Sequence, residues 1–226
     1  MLLILKKRYT EFQRETLKKK TIGLIDGRSG NIGSIKKAIK DIIKNQPFRL
    51  KVIEGDFNLN DFDKIILPGQ GAYATLMKNL KAYKILDSLK LYLKKNKSYF
   101  GICVGMQILS ERGYENKTTK GLGFIPGNIK KFPKKKLITP HMGWNSIKLN
   151  KQNNEIVTKT FDNKDFYFVH SYTFQNIPKK FVLASTNYGG LFPSIVNTGN
   201  IYGVQFHPEK SHKNGINLIK NFILKA

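Results

Sequence analysis

The chain has 226 residues and a mass of 25.9 kDa, enough for one sizeable domain with a true core, and its single cysteine excludes an internal disulfide and suits a reducing compartment. A formal net charge of +25 invites a nucleic-acid reading, but the arginines are only Arg8, Arg14, Arg28, Arg49 and Arg112, and no zinc-knuckle, helix-turn-helix or RNA-motif signature is present. No apolar run approaches the ~20 residues of a membrane span, and the start Met1-Leu2-Leu3-Ile4-Leu5 turns basic without the long apolar core and cleavage site of a secretory signal. A soluble cytoplasmic protein is expected, with no nucleic-acid or membrane partner. The scattered lysines suit an acidic protein partner better.

In chain order, residues 1–20 form a basic extension of unknown role, ending Leu17-Lys18-Lys19-Lys20, and one domain is expected over residues 21–226. Ile22 to Ile25 reads as a buried strand, followed by turn residues and a helical pattern from Ile32 to Ile43. Strands are predicted at Phe48 to Ile53 and at Lys64 to Leu67, the latter closed by Pro68-Gly69. Helices are predicted at Ala72 to Leu80 and Tyr83 to Leu93, and then a strand enters Cys103. The C-terminal half is richer in strands, at Gly123 to Ile129, Ser146 to Leu149, Phe166 to Val169, Phe181 to Ala184 and Ile201 to Phe206. A helix over Gly215 to Leu224 closes the chain. This order predicts an α/β fold: a single three-layer domain with a central, mostly parallel sheet and additional strands in the C-terminal half.

The chemistry concentrates around Cys103. A side chain between a strand and the helical turns Val104 to Leu109 stands on a tight corner, and Gly101 and Gly105 flank it at the spacing of a nucleophile elbow. The helix N-terminus would favour the thiolate. Far downstream, Gln205-Phe206-His207-Pro208-Glu209 supplies a base and an acid two residues apart; in an extended segment such positions face the same way, so Glu209 can orient His207. The bland alternative is a small buried cysteine and a structural histidine. Gln70 to Tyr73, Cys103 and His207 each follow a predicted strand, which brings them to one crevice at the carboxyl edge of the sheet.

Seven stretches occur in the order of one family: Gly30-Asn31-Ile32, Leu67 to Tyr73, Gly101 to Gln107, Gly121 to Gly127, Pro140-His141-Met142-Gly143-Trp144-Asn145, Phe168-Val169-His170-Ser171-Tyr172 and Gly203 to Ser211. On these the chain resembles the class I, triad-type glutamine amidotransferases, and within them the glutaminase subunits of imidazole glycerol phosphate synthase. The resemblance implies that glutamine is hydrolysed to glutamate and ammonia, with Cys103 as nucleophile, His207 as base and Glu209 as its orienting acid. It implies an oxyanion site from Gln70, Gly71 and Val104, where the family usually has valine at the position of Gln70. It assigns Gln107, Glu115, Ser171 and Tyr172 to the substrate, and Asn31, His141, Trp144 and Lys210 to the interface with a (β/α)-barrel cyclase in a heterodimer. No cofactor or metal is implied. Three other readings stand beside it: a paralogue feeding a sugar amidotransferase in surface-polysaccharide assembly, which Ile32 to Ile35 and Lys210-Ser211-His212 resemble somewhat; a catalytically dead binding subunit; and a cysteine peptidase or related hydrolase.

Overall fold

The structure, a computed structural model, describes residues 19–28, 32–132, 138–150 and 154–226. The basic extension, but for its last two residues, and Asn31 lie outside these. The first half alternates strand and helix: β1 (Lys20–Ile25), α1 (Gly33–Ile43), β2 (Phe48–Ile53), β3 (Lys64–Gly69), α2 (Tyr73–Ala82), α3 (Ile85–Lys94), β4 (Ser98–Cys103) and α4 (Val104–Gln107). The second half is built mainly of strands: β5 (Arg112–Gly113), β6 (Thr119–Lys120), β7 (Asn128–Lys131), β8 (His141–Leu149), β9 (Lys164–His170), β10 (Tyr172–Gln175), β11 (Val182–Asn187), β12 (Leu191–Thr198) and β13 (Ile201–Val204), followed by α5 (His212–Lys225).

Nine strands form one sheet in the order β2-β1-β3-β4-β13-β12-β11-β8-β9. The pairings from β2 to β13 are parallel and those from β13 to β9 antiparallel. Strands β1, β3, β4 and β13 are buried almost throughout, as parallel strands covered on both faces must be. Each helix buries a stripe at three- and four-residue spacing, such as Ile35, Ala38 and Ile39 on α1 and Leu218, Ile219, Phe222 and Ile223 on α5. Helix α1 packs beside α5 and α2 beside α3. The expected single α/β domain is present, with its extra strands in the C-terminal half. Among the described residues no helix is long and apolar enough to cross a membrane.

Two expectations are corrected and two strands were not anticipated. The segment from Gly123 to Gly127 is a turn rather than a strand, because both glycines take positive φ (73° and 121°), and only Asn128 onward joins β7. The helix after Cys103 is one turn, ending at Gln107. Strands β10 and β12 carried no clear signal; β12 holds Pro193 in its interior, a residue that normally argues against a strand.

Candidate active site

Strands β3, β4 and β13 are parallel neighbours in register, with Gly69 opposite Cys103 and Val204 opposite Ile102. Their carboxyl ends therefore share one edge, and the segments that follow them meet there. A cavity of about 460 Å³ opens at this edge, and Gln70, Gly71, Cys103, Val104, His207 and Lys210 contribute to its wall. The anticipated crevice exists.

Cys103 sits at the corner with φ 53° and ψ −109°, a conformation costing about 1–3 kcal/mol for a residue with a side chain. Sterics hold it there. A Cβ on Gly105 would strike the carbonyl oxygen of Leu67, and one on Gly101 the carbonyl of Gly105, so β3, β4 and α4 approach this closely only with glycine at both places. Cys103 is 4% exposed and borders the cavity.

His207 Nδ1 lies 2.8 Å from Glu209 Oε1, and both side chains are nearly inaccessible. They do not meet through an extended i, i+2 strand. His207 is extended, but Glu209 belongs to a 3-10 turn over Pro208–Lys210, and that turn swings the carboxylate back beneath the ring. Ser211 Oγ donates to the His207 carbonyl at 2.6 Å and fixes the turn. The other ring nitrogen, Nε2, is buried and makes no hydrogen bond of good geometry, yet Cys103 lies within its electrostatic reach. Burial by itself would drive this imidazole toward neutrality. The carboxylate of Glu209, bonded to Nδ1, and the nearby sulfur of Cys103 outweigh it, and the His207 pKa rises well above its ordinary value. An imidazole so placed can take a proton from the sulfur and keep it beside a carboxylate.

The remaining expected residues divide. Ser171, Tyr172, Gln107 and Glu115 all border the cavity. Gln107, however, is already engaged: its Nε2 donates to the Tyr172 carbonyl at 3.0 Å and to Gln205 Oε1 at 3.1 Å. Glu115 also has a second task, since its Oε2 accepts the Tyr73 N–H at 2.8 Å and so caps α2, which lacks a side-chain cap at Ala72. Gly71, with φ 101°, forms the turn between β3 and α2. Trp144 is 48% exposed, stacked flat on His212 at 4.8 Å. Lys210 is exposed at the cavity rim.

His141 departs from its expected place at a partner surface. Strand β8 alternates, turning Met142 and Trp144 outward and His141 inward, where its ring is stacked between those of Tyr188 and Phe168. Its side chain is therefore a packing and hydrogen-bonding group. Gln205 received no role from the sequence, although it is fully buried with Nε2 3.7 Å from Cys103 Sγ. The only available signal was a polar residue inside an apolar run. Among the described residues no cluster of histidine, cysteine and acidic side chains is arranged to hold a metal.

A strained cysteine and a buried histidine on one cavity, the histidine backed by a carboxylate, define a thiol-dependent hydrolase class. A family model described as glutamine amidotransferase class-I matches residues 30–226, and the chain belongs to that family. It is 39% identical over 202 residues to the imidazole glycerol phosphate synthase subunit HisH of Listeria monocytogenes serotype 4a, covering 89% of this chain and 94% of that one. The subunits of the same name from Leptospira borgpetersenii and Methanocaldococcus jannaschii are 40% and 42% identical, each matched over 89% of this chain and 98% of its own length. In fold, PurLQS from Thermotoga maritima is similar with a TM-score of 0.65 at 18% identity, covering 91% of this chain and 98% of that one.

Proposed function

We propose that the chain is the glutaminase subunit of an imidazole glycerol phosphate synthase, hydrolysing glutamine and handing ammonia to a cyclase subunit in histidine biosynthesis. The observation that carries this is the meeting of Cys103 and His207 in one cavity, with Glu209 bonded behind the imidazole, in a chain 39–42% identical to subunits of that name. Cys103 attacks the side-chain amide carbon of glutamine, and the proton drawn from sulfur to His207 passes to departing ammonia. Water then cleaves the acyl-enzyme with His207 as base, while Glu209 fixes the ring tautomer and supports the imidazolium. The oxyanion takes backbone N–H groups from Val104 and from the Gln70–Gly71 turn. Glu115, Ser171 and Tyr172 hold the amino-acid end of the substrate, and Gln107 shapes the wall beside them.

Ammonia released into water would be protonated and lost, so a sealed partner is required. Trp144 and Lys210 belong to the docking face, with Asn31, and a (β/α)-barrel cyclase is the partner in the heterodimer. The names of the relatives favour this over the sugar-amidotransferase reading. Lys20 already pairs with Phe48 in the sheet, so the amidotransferase domain begins at least one residue before the expected boundary at Thr21.

The test is ammonia release by the chain alone, with a cyclase, and with cyclase plus acceptor. Cys103→Ala is expected to abolish hydrolysis and retain partner binding. The intact chain alone should turn over slowly, with stimulation of about 10²–10³-fold on completing the oxyanion site. Full activity in the Cys103→Ala variant would remove the nucleophile assignment. Stimulation only by a sugar-amidotransferase partner would redirect the ammonia.

A further inference from the structure

Gln205 stands directly after β13 with its Nε2 toward the sulfur of Cys103. An amide can turn over, and whether N–H or C=O faces the sulfur is decided by what binds its other end. That end is held by Gln107, whose Nε2 donates to Gln205 Oε1 and to the Tyr172 carbonyl. The same carbonyl receives His170 Nδ1 at 2.9 Å. A carbonyl has no hydrogen to give, so His170 carries its proton on Nδ1 and leaves Nε2 as an acceptor. His141 Nδ1, 3.2 Å away, must then donate to it. His141 Nε2 is left as acceptor for Asn145 Nδ2, also at 3.2 Å.

One protonation pattern satisfies every one of these bonds. It requires both histidines neutral, and burial enforces that by lowering His141 to about 4 and His170 to about 3. Strand register puts the two rings together, since His141 is the direct partner of His170 across β8 and β9. Phe132 and Phe192 pack against both rings and hold them in place.

We propose that Gln205 is a positioning residue for the nucleophile, its N–H aimed at Cys103 Sγ through Gln107, which the Tyr172 carbonyl, an acceptor only, obliges to donate; the donors running from Asn145 through His141 to His170 end on that same carbonyl and hold it in place. The inference rests on the reading of Cys103 as nucleophile. The donated hydrogen holds the sulfur in one orientation and stabilises its anion, a charge-assisted contact in a site shielded from water. Gln107 thereby acts on the nucleophile as well as on the cavity wall.

Cys103 is the only cysteine of the chain, so alkylation by iodoacetamide reports on this sulfur alone. In Gln205→Leu the alkylation rate at neutral pH should fall about tenfold and its pH profile move to more alkaline values, with kcat falling in step and KM within about twofold. The isosteric Gln205→Glu, which keeps the volume but sets an anion against the sulfur, should lower the rate further, and guards against a simple packing defect. His170→Phe, which leaves the Tyr172 carbonyl and with it the direction of Gln107 intact, should keep the rate within about twofold. Unchanged alkylation in both Gln205 variants, while His207→Ala still slows it, overturns the proposal and leaves the triad standing. Slowing in the Gln205 variants with no effect of His207→Ala upholds the proposal and overturns the triad. A fall in His170→Phe as large as that in Gln205→Leu would mean that packing around the site rather than the Gln205 N–H sets the rate, and would overturn the proposal.

Discussion

The two halves of the large sheet solve opposite problems. From β2 to β13 the strands are parallel, buried on both faces, and packed so closely at their carboxyl edge that no atom can be added. From β12 to β9 they are antiparallel, and β8 alternates between inward groups and outward ones, with Met142 62% exposed. The first half fixes a backbone: Cys103 is held in an unfavourable conformation because the surroundings leave it no other. The second half fixes protons: His141 and His170 are set by hydrogen bonds whose direction has one solution. Rigidity at the site thus has two sources, steric on one wall and electrostatic on the other.

Adding a methyl group to the steric wall should have the largest effect. Gly105→Ala drives a Cβ into the Leu67 carbonyl, so unfolding in urea should show a loss of about 3 kcal/mol or more, and hydrolysis should be undetectable. Cys103→Ala should match its inactivity without matching its instability, and equal stability of the two would refute steric control of the elbow. Next comes the charge beneath the base. Glu209→Gln keeps a hydrogen-bonding group under His207 but removes the carboxylate, so turnover should fall about 10²-fold, less than for His207→Ala. Full activity in both variants would dismiss the pair.

A smaller effect tests the electrostatic wall by pH. Below about 6.5 an unfolded histidine takes up a proton, whereas folded His141 and His170 stay neutral until about pH 4 and 3. The unfolded chain therefore binds more protons in this window, and stability, fully present above pH 6.5, is lost as the pH falls through it. Thermal melts between pH 7 and 4 should show a steeper decline for the intact chain than for a His141→Phe/His170→Phe double variant; parallel curves would mean that the two rings do not act through their protons. The smallest effect belongs to the exposed face. Trp144→Ala should change stability by about 1 kcal/mol or less and leave hydrolysis by the lone chain unchanged, while weakening stimulation by the cyclase.

The steric half was legible in the sequence because its causes are local. Apolar runs ended by Pro68-Gly69 or by Gly101 and Gly105 announce buried strands and a tight corner, and the structure has them there. The second half was harder, because its causes are distant. Leu191-Phe192-Pro193-Ser194 does not read as a strand until β11 and β13 flank it, and the irregular register beside Ala184 and Ser185 accommodates the proline. Glu209 was found for an incomplete reason: the residue pair was right, but a 3-10 turn joins it rather than an extended strand. Nothing local marks Gln205, whose partner Gln107 lies 98 positions away, and nothing reveals that His141 faces inward until β8 is set against β9. Glu115 could be read as a substrate group only through the resemblance, or else as a solvated acid at a helix end; its cap on α2 depends on a contact 42 residues distant.

The solitary cysteine at the elbow also determines what happens to this protein under oxidative stress. A sulfenic acid formed at Cys103 would have no second thiol in the chain with which to condense, since none exists in the sequence. Recovery would fall to an external reductant, which must reach a residue that is only 4% exposed. The burial that slows attack by a peroxide therefore slows repair by a bulky thiol carrier as well, and glutathione, small and flexible, is better suited to the task than a protein disulfide reductase.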